Sequence, residues 1–212
     1  MHVGIVGLRH SGKTTIAKEF LAQNANYQKL ALADPLKDSA IEMCNTFLAK
    51  YNRPLITRKD IEINKAQFRL MLQWLGTEFA REYVGPDDFW INLFRTRVQK
   101  VENAGGSVVC DDVRFPNEAA RLREMGFLIV KVNRDEIARQ KSLRIAGDVG
   151  ANHPSETSVN LIDADIYLNE VPQSRISETV AYIINLCETK VPKSVYPVHL
   201  YVGADKLLAY AA

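Results

Sequence analysis

Gly7-Leu8-Arg9-His10-Ser11-Gly12-Lys13-Thr14 decides the reading of this 212-residue chain, because it fits the pattern G-x-x-x-x-G-K-[ST] at every position. Glycines at both ends of such a loop permit positive φ angles and close backbone approach, so successive amides can converge on phosphate oxygens. The Lys13 ammonium suits the outer phosphates of a nucleoside triphosphate, and the Thr14 hydroxyl suits the shell of a phosphate-bound Mg²⁺. Around the loop, His2–Val6 is a short apolar run that predicts a strand. Thr14–Ala22 predicts a helix with Ile16, Ala17 and Phe20 on one side. A helix that starts at the loop aims its positive dipole end at the same anion. For this composition about 0.003 chance matches to the pattern are expected, so the loop is a strong signal.

Outward from the loop the elements alternate. Tyr27–Ala33 predicts a second strand. It runs into Asp34-Pro35, where Asp can cap free amides and Pro opens a helix that should reach about Tyr51. Thr57 to about Asn103 reads as mostly helical, punctuated by Gly85-Pro86-Asp87 with a restart at Asp88. Ser107–Cys110 predicts a buried strand that ends at Asp111-Asp112. Pro116–Met125 follows as a helix, Phe127–Val132 and Ala164–Leu168 as strands, and Gln173–Glu188 as a closing helix. Continuous apolar strands separated by helices argue a parallel sheet with helices on both faces. The aromatic run Val198–Val202 finds no place in this scheme.

Three further groups carry candidate chemistry. A phosphate-bound Mg²⁺ needs a carboxylate near its water shell, and Asp111-Asp112 supply one at a strand end, where they could also simply open a turn. Arg114 could aim at a transferring phosphoryl group or pair with Glu118. Arg134–Arg144, with Arg139 and Arg144, reads either as an Arg-bearing lid or as a solvated helix of mixed charge. In the helical stretch, Arg69, Gln73 and Arg81 recur at spacings of four and eight. There they could grip a monophosphate and read a base edge. Of the nearby aromatics Phe68, Trp74, Phe79, Phe89 and Trp90, one could stack on a base while most belong to a core. Asp34 and Lys37 lie at the end of the second strand, where open α/β sheets bind ligands; for Asp34 a plain helix cap is the alternative. His153 is either functional or a loop histidine beside Ser155.

Composition bounds the class. The chain is 47% hydrophobic and 25% charged, an ordinary globular balance. Cys44, Cys110 and Cys187 are far apart and odd in number, which argues against a disulfide framework or a zinc knuckle. The apolar stretches, such as Val3–Leu8, are too short to span a bilayer, and no signal peptide is legible; a cytoplasmic location is the expectation. A net charge of +2 shows none of the basic excess of a nucleic-acid polymer binder.

The loop, Leu32-Ala33-Asp34-Pro35-Leu36-Lys37, Leu72-Gln73-Trp74-Leu75-Gly76-Thr77-Glu78 with Arg81, Asp87-Asp88-Phe89-Trp90, Asp112-Val113-Arg114-Phe115-Pro116-Asn117-Glu118 and His153-Pro154-Ser155-Glu156 occur in that order. Together they resemble the deoxynucleoside monophosphate kinases of bacteriophages, in the P-loop kinase superfamily, over about residues 3–170. Thr15 departs from the acidic residue found there in several members. The resemblance implies an α/β, three-layer P-loop NTPase fold with five parallel strands. It also implies one kinase domain over about 1–190, a helical acceptor-binding insertion over about 34–103, a lid over about 134–154, and a tail at 191–212 without an assigned role. Phosphoryl transfer from ATP to a dNMP with Mg²⁺ follows from it. Arg9, His10, Ser11, Gly12, Lys13, Thr14 and Thr15 would hold ATP, and Lys13, Arg114, Arg139 and Arg144 would stabilise the phosphoryl group. Asp34, Lys37, Arg69, Gln73, Arg81, Trp90 and Asp112 would bind the acceptor, and Thr14 and Asp112 the metal. Asp112, not Asp111, matches the motif aspartate. No membrane or nucleic-acid partner is implied, and a homodimer stays open. The rival readings are a P-loop kinase for another phosphorylated acceptor, such as phosphomevalonate, and a nucleotide-dependent switch or ATPase. Against the switch, Val132-Asn133-Arg134-Asp135 does not match N-K-x-D. Against a mechanical ATPase, no Glu follows Asp111-Asp112.

Overall fold

A computed structural model describes residues 1–76, 79, 89–145, 157–189, 197–202 and 207–211. The chain divides into two compact units, Met1–Leu30 with Lys100–Ala212, and Ala31–Gln99.

The first unit is built on one sheet. Its strands are β1 (His2–Val6), β2 (Tyr27–Lys29), β3 (Ser107–Val113), β4 (Phe127–Asn133), β5 (Ile166–Asn169), β6 (Val198–Val202) and β7 (Leu207–Ala211), in the spatial order β2-β3-β1-β4-β5-β6-β7. The first six are mutually parallel and β7 is antiparallel to β6. The expected parallel sheet is therefore present, with six parallel strands in place of five. Every residue of β1 is buried, which its unbroken apolar run requires of a strand covered on both faces. On one face, Val3, Ile5, Val109 and Val130 pack with Ile16, Ala17 and Phe20 of α1 (Lys13–Gln23). Val180, Ile183 and Cys187 of the C-terminal helix Ile176–Glu188 join the same core. The opposite face is covered by the helix Pro116–Glu124, whose Leu122 lies with Ile129 against Gly4, so tightly that a Cβ on Gly4 would meet Ile129 Cδ1 at 2.9 Å. The result is the expected three-layer α/β fold.

Chain order fixes where a ligand can bind. From β1 the chain goes to β2 and β3 on one side, then crosses to β4, β5 and β6 on the other. The crevice at the C-terminal end of β1 is thus the switch point of the sheet, where parallel folds bind ligands.

The second unit holds α2 (Asp34–Lys50), α3 (Arg58–Ile63), α4 (Lys65–Trp74) and most of α5 (Phe89–Asn103). Ala40, Ile61, Leu75 and Trp90 form its core, with Leu36, Phe68, Met71 and Phe89 packed against them. A capping box opens α3: the Thr57 amide and hydroxyl both donate to Asp60 Oδ2, at 2.7 and 2.6 Å. With α6 for Pro116–Glu124, α7 for Glu136–Ile145 and α8 for Ile176–Glu188, the helices are complete among the described residues.

Three elements differ from the sequence reading. β2 stops at Lys29, although Leu30 still donates to the Val109 carbonyl. β3 does not end at Cys110; it carries Asp111 and Asp112 inside the strand and ends at Val113. Val198–Val202 is β6, seated beside β5 with Leu200 opposite Leu168, and α8 supplies the crossover that parallel strands need.

Leu200 is fully buried in the main core. Leu200→Ala should therefore cost about 2–5 kcal/mol of stability in a denaturant titration. A loss under about 0.5 kcal/mol would mean that β6 is not a working part of the sheet.

Candidate active site

The glycine loop joins β1 to α1. A Cβ on Gly7 would lie 2.6 Å from Ser11 Oγ and 2.8 Å from the Val132 carbonyl, so no larger residue fits. Gly12 caps α1 at φ 103° and ψ 7°, a left-handed geometry suited to glycine, and His10 is left-handed too at φ 59°. α1 has no side-chain cap and no acidic residue in its first turn. Its leading amides and positive dipole end are consequently available to an anion. The Lys13 ammonium lies over the loop, donating to the Gly7 and Leu8 carbonyls at 2.7 Å each. Ser11 is buried, and its Oγ has no hydrogen-bond partner among the described residues. A buried hydroxyl left in that state marks a place for a ligand atom. Thr14 and Thr15 are exposed on the first turn of α1, and Arg9 is half-buried.

The two carboxylates of β3 are separated by a bulge. Gly4 pairs with Cys110 and Val6 with Val113, so Asp111 and Asp112 together oppose Ile5. Asp111 is buried and accepts a hydrogen bond from Lys29 Nζ at 2.7 Å. Asp112 is half-buried, and its Oδ1 accepts from the Cys110 thiol at 3.1 Å. The bulge sets both residues level with the last turn of β1 before the loop.

A cavity of about 380 Å³ adjoins the loop, a size suited to a nucleobase. Ser11, Gly12 and Thr15 of the loop and the start of α1 are part of its lining. Ile16, Val132, Leu168, Val171, Pro172 and Ile176 give it apolar walls, while Asn133, Arg134, Asp135, Glu170 and Gln173 are its polar lining. Arg134 Nη1 also donates to the His10 carbonyl at 2.9 Å, tying the exit of β4 to the loop. The sequence reading missed the β5 side of this cavity altogether. The available signal was positional: Asn133 and Asn169-Glu170 lie at the C-terminal ends of parallel strands.

The basic segment after β4 is the helix α7, as far as Ile145; residues 146–154 of the expected lid, with His153, lie outside the described residues. Arg139 does not face an open cleft. It is buried and holds both oxygens of Glu136, at 2.6 and 2.7 Å. Hydrogen bonds from Arg139, and then from Gln140, bring the Glu136 carboxyl down to about 2. Arg144 is exposed in the last turn. Arg114 is half-buried, and it is its backbone amide, with that of Phe115, that donates to Glu118 Oε2, at 2.8 and 3.1 Å, to start α6.

In the second unit several expected acceptor residues have structural partners. Asp34 does not cap α2 forwards. Its Oδ2 accepts from the Ala31 amide at 2.7 Å and its Oδ1 from Arg58 at 3.0 Å. Arg58 also reaches Asp38 at 3.0 Å, and Lys37 pairs with Glu62. Trp90 is buried in the core, with its indole N–H on the Gly76 carbonyl at 3.1 Å. Arg69 and Gln73 are both exposed on α4, and Trp74 and Phe79 are the exposed members of the aromatic set, their rings 5.3 Å apart. Arg81 lies outside the described residues.

The Asp111–Lys29 pair is nearly dry on the carboxylate side and open on the ammonium side, with side chains 8% and 38% exposed. Asp111→Asn should cost about 1–3 kcal/mol and lower Tm by several degrees, whereas Asp112→Asn should leave Tm near wild type. A double-mutant cycle with Lys29→Met measures the coupling. Additive losses would show that the pair contributes nothing.

No family model matches the chain. A protein of Acanthamoeba polyphaga mimivirus, described as "Putative deoxynucleotide monophosphate kinase", is 30% identical over 197 residues, spanning 86% of this chain and 94% of that protein. Among solved structures, dephospho-CoA kinase from Campylobacter jejuni is similar at a TM-score of 0.47 and 9% identity, over 89% of this chain and 98% of that one. Shikimate kinase from Acinetobacter baumannii in complex with shikimate is similar at 0.43 and 14% identity, over 90% and 94%. With a complete phosphate loop at the switch point of its sheet, and a relative matched along nearly its whole length, the chain belongs to the deoxynucleotide monophosphate kinase family.

Proposed function

We propose that this kinase transfers the γ-phosphoryl group of ATP to the phosphate of a deoxynucleoside monophosphate, giving ADP and a dNDP. The observation that carries the donor half is the phosphate loop opening directly onto a base-sized cavity. The acceptor half rests on the mimiviral relative's description and on the motif blocks quoted above. In this reading the loop amides and the start of α1 cradle the β- and γ-phosphates, and the buried Ser11 hydroxyl finds its partner in a phosphate oxygen. Lys13 moves from the Gly7 and Leu8 carbonyls to the γ-phosphoryl group, where charge builds in the transition state. An acceptor phosphate oxygen is already a nucleophile, so no side chain need act as a strong base. Arg114 and Arg144 are the candidates for further positive charge. Arg139 would first have to leave Glu136.

Mg²⁺ fits the oxygen donors here. Among the described residues no cluster of three or more His, Cys, Asp or Glu side chains could hold a metal ion on its own. A nucleotide-bound Mg²⁺ needs only one or two protein oxygens. Thr14 and Asp112 would supply them, Asp111 being committed to Lys29. When bound with the nucleotide, Mg²⁺ neutralises charge on the β- and γ-oxygens.

Lys13→Ala should lower kcat/KM at least about a hundredfold, about 3 kcal/mol of transition-state stabilisation, with the melting curve unchanged. Turnover within threefold of wild type would exclude the loop as the donor site. The overall reaction is tested by ADP release with ATP and each of the four dNMPs. ADP release without an acceptor would make the protein an ATPase, and release only with another phosphorylated compound would make it a different kinase.

For the acceptor, Arg69 is an exposed cation on α4. Arg69→Ala should raise the dNMP KM by about ten- to a hundredfold and leave the ATP KM unchanged, with Gln73→Ala acting more weakly and unevenly across bases. Unchanged KM values for both substrates would move the acceptor site off this helix.

A further inference from the structure

Glu170 is left-handed, at φ 53°, a conformation that disfavours any residue with a Cβ other than Asn or Asp. Local chain geometry explains why strain falls here. Val171 precedes Pro172, which confines it to extended conformations, so the chain leaving β5 must turn one residue earlier. The Glu170 amide donates to the Asn133 carbonyl at 3.0 Å, which fixes the turn against β4. A glycine would meet all of these requirements without strain. The residue present instead is a glutamate in the lining of the base-sized cavity; it is exposed, and its side chain has no hydrogen bond or ion pair among the described residues. An exposed carboxylate without a protein partner is ordinary, so it is the strain kept in the lining of this cavity that points to a role towards a ligand.

We propose that Glu170 selects the donor nucleotide, its carboxylate accepting a hydrogen bond from an exocyclic amino group of the base. The inference rests on the reading of this cavity as the donor-base site. A carboxylate accepts only, so it favours an amino-bearing edge and repels the carbonyl oxygen that replaces the amine in a deaminated base. Adenine and guanine both carry such an amine, and hypoxanthine and uracil do not. Gln173, the other polar residue of the β5–α8 turn in the cavity lining, can both donate and accept and so cannot make that distinction alone.

The test is direct binding of ATP, GTP and ITP to wild type, Glu170→Gln and Glu170→Gly by calorimetry, which needs no acceptor and no turnover. Wild type should bind ATP, GTP or both at least tenfold more tightly than ITP; the tighter of the two identifies the amine that is read. Both variants should reduce that ratio to within about threefold. Glu170→Gly should also match or exceed the wild-type Tm, because the strain is relieved. An amine preference that survives both substitutions, or a wild type that does not discriminate, overturns the role of Glu170. If none of the three binds, the donor reading itself fails, which separates the two outcomes. A turn with a purely structural role would shift Tm and leave the nucleotide ratio untouched.

Discussion

The contact between residue 7, the Ser11 hydroxyl and the Val132 carbonyl constrains everything at the C-terminal edge of the sheet. A methyl group at position 7 would stand 2.6 Å from one and 2.8 Å from the other. The first residue of the loop, its turn and the end of β4 are therefore in van der Waals contact through a single missing side chain. β1 and β4 are in register from His2 with Phe127 to Val6 with Lys131, so the sheet delivers Val132 to that contact. The shape of the phosphate loop is set as much by strand pairing as by its own sequence. Val132 is also a wall of the adjoining cavity, so that cavity inherits its position from the same register.

Charge is arranged consistently with an anion site. α1 starts without an acidic residue, leaving its dipole uncompensated. Nearby carboxylates in the same unit are each tied to a local partner: Asp111 to Lys29, Glu118 to two backbone amides, Glu136 to Arg139. A carboxylate with its own donor repels an incoming phosphate less than a bare one does. Glu170, in the lining of the cavity, departs from this pattern.

What could be read from sequence follows from how local each signal is. The loop, β1, α1, β4 and α6 announce themselves through short-range pattern: an apolar run, a glycine geometry, a Pro at the first helical position. The partners of Asp34, Lys37, Trp90 and Asp111 were not legible, because Arg58, Glu62, Gly76 and Lys29 lie 14 to 82 residues away. A strand-end carboxylate paired with a lysine looks in sequence like one waiting for a metal. The β3 bulge was hidden for the same reason, since it exists only relative to β1. β6 was unplaceable because a parallel strand needs no turn signal, only a neighbour and a crossover. No helix among the described residues is long and apolar enough to cross a membrane, and that much the short apolar runs already implied.

His10 shows how the distant parts support the loop. A left-handed non-glycine residue costs about 1–2 kcal/mol. Arg134, 124 residues on, donates to the His10 carbonyl at 2.9 Å. A hydrogen bond from a charged donor contributes about 1.5–3 kcal/mol when desolvated and less at an exposed position such as this one. The two magnitudes are close, so the loop is held in its strained form by a margin that a bound ligand can shift. Arg134 is in the lining of the adjoining cavity as well. The same guanidinium therefore joins two features at the C-terminal edge of the sheet, the left-handed turn of the loop and the lining of the cavity beside it.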